Sequence, residues 1–226
     1  MNAFWNRYKR NTGAVIGLAF LGLIVAAAIL APVFYPEDPF RLVGPGMQPP
    51  SADFLLGTDS LGRDVAAGIA HGASVSLLVG LIATIVAVAV GTGVGSIAGF
   101  AGGRVDALLM RLTEVFQTIP SFIFAIVLVA ILSPSIQSVV IAIATVSWPS
   151  VARLVRAEVL SLRDREFVQA AVTLGMPTHR ILLQEILPNA LSPIIVAASL
   201  MVATAILIET GLAFLGLGDP NRMSWG

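Results

Sequence analysis

Glu166–Asn189 reads EFVQAAVTLGMPTHRILLQEILPN, a polar, helix-patterned stretch set between strongly apolar blocks. Phe167, Ala170, Ala171 and Leu174 fall at i, i+3, i+4 and i+7, which is one face of a helix. Glu166 stands at the positive end of that helix dipole, with Asp164 ahead of it as an N-cap or first-turn acid. Gly175 is the residue type that ends a helix in the left-handed conformation, and Pro177 suits the first turn of the next. The spacing predicts two short helices at a sharp angle, the second running from His179 to Leu187 and stopped by Pro188. A helix lying on lipid carries bulky apolar residues opposite a basic face. Here two alanines centre the face, which fits a protein groove better.

The flanking blocks decide the compartment. Of 226 residues, 57% are hydrophobic and 12% charged, and the mean hydropathy is +0.91. Soluble domains carry about 25% charged residues, so this is an integral membrane protein. Net charge is zero, which leaves no basic field to attract nucleic acid. The chain has no cysteine, which excludes disulfides, thiolate catalysis and Cys-based metal sites. His71 and His179 lie far apart and make no metal-ligand spacing. No G-x-x-x-x-G-K-[ST] phosphate loop occurs, and the only lysine is Lys9, so this chain is not an ATPase.

Residues 1–12 hold Arg7, Lys9 and Arg10 with Trp5 and Tyr8, the pattern of a cytoplasmic membrane edge. The first span is 13–34. Ala26–Ala28 raises a cleaved signal peptide as an alternative, but the apolar core exceeds the about 7–15 residues of a signal sequence. Residues 35–73 form an external segment rich in proline, glycine and acids, with a short helix near Asp64–Ala70. A membrane core occupies 74–226. Its first helix, about Ser74 to Phe100, places Gly91, Gly95, Gly99 and then Gly103 at intervals of four, where another helix backbone can approach closely.

The next span begins amphipathically, passes Thr118–Ser121 and becomes fully apolar up to Leu132. Pro120 marks either a packing kink or a bend lining a translocation path. Another runs from Ile136 to about Val155, interrupted at Trp148–Pro149, and a fifth from Leu191 to Leu215 carries Glu209. An intramembrane carboxylate is a functional candidate by default; a structural hydrogen bond to a neighbouring loop is the alternative. With the N-terminus inside, ten basic residues fall on the inner side, against Arg41, Arg63 and Arg222 outside. That asymmetry places the opening stretch, within a loop spanning 157–190, in the cytoplasm.

Three motifs then point to one family. Gln169-Ala170-Ala171-x3-Gly175 followed by Ile186-Leu187-Pro188 resembles the EAA loop of ABC-importer permeases, in the form of the peptide and nickel branch. Gln169 stands where the general motif has Glu. Leu56–Asp64, LGTDSLGRD, resembles an external signature of that branch, and Phe214–Gly218 with Trp225-Gly226 matches it after the fifth span.

The resemblance implies an all-α polytopic permease of the bacterial inner membrane, with a sixth span expected after the chain end. It implies a second permease subunit, one or two ATPase subunits and an extracytoplasmic binding protein as partners. ATP and Mg²⁺ then belong to the ATPases, and no cofactor is expected on this chain. The coupling contact falls to Glu166, Phe167, Gln169, Ala170, Ala171, Leu174, Gly175 and Pro177. Gly57, Asp59, Gly62, Arg63 and Asp64 form the external signature, either as ion pairs shaping the loop or as a surface for the binding protein. Pro120, Trp148 and Glu209 are translocation-path candidates. Peptides are the expected substrate, with nickel or glutathione as alternatives. An ion-coupled secondary transporter would want several intramembrane charges and internal repeats, and Glu209 alone is present.

Overall fold

The computed structural model describes residues 8–226; Trp5 and Arg7 of the expected membrane-edge cluster lie outside the described residues. The described chain is all-α, with an isolated antiparallel bridge between Thr58 and Asp64. Among the described residues, four helices are long and apolar enough to cross a membrane, and a bent pair makes a fifth candidate span.

Helix α1, Thr12–Phe34, starts where the Asn11 side chain accepts the Ala14 amide at 3.1 Å, satisfying one of the amides that every helix start leaves free. Phe20, Leu23, Ile29 and Val33 are exposed along it, which suits a span whose solvent is lipid. Helix α2, Val65–Ala101, is longer than the sequence predicts, because the short helix expected near Asp64–Ala70 and the following span are one element. Its cap explains this: Asp64 Oδ1 accepts the Ala66 amide at 2.8 Å, so the helix begins at the end of the external signature.

Helices α3, Gly103–Thr118, and α4, Ser121–Leu132, replace the single kinked span expected around Pro120. Their axes differ by 84°. Proline drives the residue before it out of the helical region, and Ile119 (ψ 130°) and Pro120 (ψ 124°) are both extended. The expected kink is a full break.

Helix α5, Ile136–Arg163, opens on Ser135, whose hydroxyl accepts the Ser138 amide. It runs on through Trp148–Pro149 without the expected interruption, and both residues are buried. Proline within a packed membrane helix is tolerated because neighbours compensate for one lost hydrogen bond.

Helix α6, Glu166–Thr173, is followed by the short α7, Thr178–Arg180, then a π-helical stretch, Ile181–Ile186, and α8, Leu187–Phe214. The second helix therefore does not stop at Pro188. The Leu187 amide reaches back to the Leu182 carbonyl, and that wider turn puts Pro188 in the first turn of α8, where its missing N–H is not needed. Asn189 Nδ2 donates to the Glu185 carbonyl at 2.6 Å.

The chain divides into two compact units. One is the chain up to Leu77 with Pro220–Trp225. In it, Ser74 Oγ donates to the Ala28 carbonyl at 2.8 Å, and Trp225 Nε1 donates to the Ile69 carbonyl at 3.0 Å. The other holds Leu78–Asp219 and Gly226. In it the later part of α2 packs closely against α5. A Cβ on Gly91 would lie 2.5 Å from Val151 Cβ, one on Gly95 2.3 Å from the Ala152 carbonyl, and one on Gly99 2.9 Å from the Arg156 carbonyl. Gly103 faces nothing and starts α3 instead. The glycine register is real, with three members rather than four.

Candidate functional site

The site is built on α6. Val168 and Ala171 point inward and join Val151, Val155 and Val159 of α5, with Ile181, Ile186 and Ala190 beyond. Phe167, Ala170 and Leu174 stay exposed, Leu174 at 85% of its surface. The single four-residue face expected from the sequence thus divides: Ala171, 5% exposed, belongs to the anchor, and the other three belong to the knob. Val168 was missed, although its i, i+3 relation to Ala171 was available to find it.

The helix stops as the sequence implies. Gly175 has φ +74°, its amide donates to the Val172 carbonyl at 2.9 Å, and the Met176 amide donates to the Ala171 carbonyl at 3.1 Å. This pair of bonds is the Schellman termination, which satisfies two terminal carbonyls and needs a left-handed residue at C′. Glu166, in the first turn, and Pro177, ahead of α7, are both exposed. Gln169 Nε2 donates to the Arg163 carbonyl at 3.1 Å, tying α6 to the end of α5. A carboxylate at 169 could not make that bond.

Two arginines counted in the sequence only as charge brace the platform beneath α6. Arg156 Nη2 donates to Asp106 Oδ2 at 2.6 Å, and its Nε donates to Asp106 Oδ1, a bidentate pair joining α5 to the first turn of α3. Arg163 Nη1 donates to the Gly99 carbonyl at 3.2 Å, placing a cation near the negative end of α2. Their geometry depends on three helices meeting, so no sequence spacing announces it.

The external signature is a compact loop of the first unit. Asp59 Oδ1 accepts the amides of Leu61 and Arg63, each at 2.8 Å, and Asp64 caps α2. These carboxylates hold backbone amides rather than Arg63, whose guanidinium lies 5.2 Å from the centroid of the Phe40 ring. The ion-pair reading of the loop is therefore replaced by an amide-binding one. Gly57 and Gly62 have φ +75° and +84°; a Cβ would lie 2.2 Å from the Gln48 carbonyl and 2.0 Å from the Gly44 carbonyl. Thr58, which sequence reasoning passed over, is buried, donates to the Pro45 carbonyl and accepts the Gln48 amide.

The three path candidates occupy different settings. Pro120 lies at the break between α3 and α4. Trp148 is buried, packed on Ala87 and Ala152 and edge-on to Phe116, so it fills core rather than lining open space. Glu209 is 3% exposed on α8. His71 is held by the Tyr35 carbonyl at 2.9 Å, and His179 is exposed.

The described residues thus make a polytopic all-α membrane chain with a two-faced surface helix between its last two long helices. Residues 91–223 match the family of binding-protein-dependent transport system inner membrane components, and residues 1–56 match the N-terminal transmembrane domain of oligopeptide transport permease C. The chain belongs to this family of inner-membrane permeases. It is 41% identical to the di/tripeptide transport system permease protein DppC of Pseudomonas aeruginosa, over 100% of this chain and 77% of that one. It is 43% identical to the dipeptide permease DppC of Alkalihalophilus pseudofirmus, over 98% and 74%. It is 39% identical to the oligopeptide permease OppC of Bacillus subtilis, over 97% and 73%. The family works with a substrate-binding protein and an ATPase.

Proposed function

We propose that this chain is one of two permease subunits of an ATP-driven importer of di- and oligopeptides, with its N-terminus in the cytoplasm. Its relatives carry peptide-transport names, and the charge asymmetry supports the orientation. In this reading α6 docks on an ATPase subunit, which binds the ATP and Mg²⁺, and the chain itself holds no cofactor. The external loop around Asp59 and Arg63 faces the binding protein.

The observation that carries the reading is the divided α6: a buried anchor of Val168 and Ala171 beneath an exposed knob of Phe167, Ala170 and Leu174. A segment built to move with the membrane core while gripping something else needs both faces. The test is uptake of dialanine into liposomes holding the assembled importer. Uptake is expected only with ATP and the binding protein present, and Gly175→Trp should lower it at least tenfold by forcing a bulky residue into a left-handed position beside the contact. Transport of nickel or glutathione without dialanine would overturn the substrate assignment. Undiminished uptake by Gly175→Trp would overturn the coupling role of α6.

A further inference from the structure

Between the middle of α5 and the middle of α8, the second unit contains a groove of about 380 Å³. That volume falls within the range of about 300–1,000 Å³ of small-ligand clefts. Its walls alternate two chemistries. Ser147 and Ser150 of α5, Thr204 of α8 and Ser121 at the start of α4 supply hydroxyls, while Leu200 and Met201 lead the apolar lining. Among the described residues, no charged side chain lines it.

The groove opens at the break in the α3–α4 span. Ser121 follows Pro120, and α4 begins there with no side-chain cap. The first amides of a helix have no intrahelical acceptor, and in hydrocarbon each one left without a partner costs several kcal/mol. Broken backbone at membrane depth is tolerated where it lines a water-filled cavity or is buried in protein. Beside the break, Gln117 Nε2 donates to Ser150 Oγ at 3.5 Å, which adds an amide to the polar wall. Four hydroxyl side chains gathered in one concavity suit water and a polar solute, although that of Thr204 also bonds its own helix at the Leu200 carbonyl.

We infer that this groove is the chain's share of the substrate path and that it holds a peptide by its main chain. This rests on the peptide reading above and deepens it. A hydroxyl both donates and accepts, so Ser147 and Ser150 can meet an N–H or a C=O of an extended peptide, while Thr204, whose hydroxyl donates to the Leu200 carbonyl at 3.2 Å, can accept from an N–H. The main chain is common to all peptides, and an uncharged groove penalises neither acidic nor basic side chains. The flexible Met201 adapts to side chains of different size. The groove passes peptides with little regard to sequence, leaving selection to other components.

The absence of cysteine from the chain makes the test direct. Ser147→Cys, Ser150→Cys and Thr204→Cys are introduced singly into the assembled importer in liposomes. Each is treated with a water-soluble cationic methanethiosulfonate, with and without dialanine and ATP, and Leu23→Cys, at an exposed apolar position of the α1 span, serves as the comparison outside the groove. The thiolate is the reactive form and does not persist in hydrocarbon, so the groove cysteines should react about tenfold faster than Cys at 23, and transported dialanine should slow them several-fold.

Two results would overturn the inference in liposomes that do take up dialanine. One is labelling no faster than at position 23; the other is labelling that dialanine leaves unchanged. Liposomes with the unmodified chain that take up no dialanine at all would instead sink the peptide reading.

Discussion

Gln169 and Gly175 show how far single residues decide the form of the α6 knob. Gln169 uses its amide N–H to reach the Arg163 carbonyl, so Gln169→Glu removes a donor and sets a carboxylate against a carbonyl oxygen. The bond is at the surface, and its loss should cost about 0.5–1 kcal/mol. Hydrogen exchange should then show the α6 amides opening a few-fold more often, with the rest of the chain unchanged. Gly62 is the stricter case. Its φ is +84°, and a Cβ would sit 2.0 Å from the Gly44 carbonyl, a backbone atom with no rotamer to retreat into. Gly62→Ala therefore combines left-handed strain of about 1–2 kcal/mol with a clash that only loop displacement relieves. Limited proteolysis should cut the 44–62 segment of that variant and spare the parent.

At the scale of elements, the membrane core depends on how closely α2 and α5 approach. Gly95 faces the Ala152 carbonyl at a distance that forbids any side chain, whereas a Cβ on Gly93, on the same helix, meets nothing within 4 Å. Gly95→Val should force the helices apart and collapse the yield of folded protein in detergent, while Gly93→Val, with the same change in helix propensity, should purify normally. Equal yields would refute the close-packed seam. The register of these glycines was plain in the sequence because period four is a property of one helix. So were the existence of the spans and the Gly175 stop, whereas the burial of Val168 with Ala171 on α6 was not. What was not legible depends on partners distant in the chain. The break at Pro120 looked like a kink because local pattern cannot tell how completely neighbours restore a lost hydrogen bond. Trp148–Pro149 looked like an interruption for the same reason, yet packing on Ala87 and Phe116 keeps α5 whole. Pro188 looked like a stop because a π-helical turn has no sequence signature as clear as its geometry.

For the whole molecule, the question is whether motion of an ATPase reaches the membrane core through α6, and the two faces of that helix allow it to be asked cleanly. Val168 is 1% exposed and joins α6 to Val155 and Val159; burying an unpaired carboxylate there costs several kcal/mol, so Val168→Asp should prevent accumulation of folded chain. Ala170 lies on the outer side of the same helix and is exposed. Ala170→Trp leaves the anchor, the Schellman stop and the Asp106–Arg156 brace untouched, and should give normal yield and thermal stability. It nevertheless enlarges a knob that the alanine keeps shallow. If α6 seats in a close-fitting groove, the overpacking of a core-like contact costs about 1–3 kcal/mol. Co-purification with the ATPase should then weaken by about ten- to a hundredfold, and peptide uptake should fall with it. Uptake at the parental rate by a stably folded Ala170→Trp chain would mean that the force enters elsewhere, and the brace joining α3 to α5 through Asp106 and Arg156 would be the next place to look.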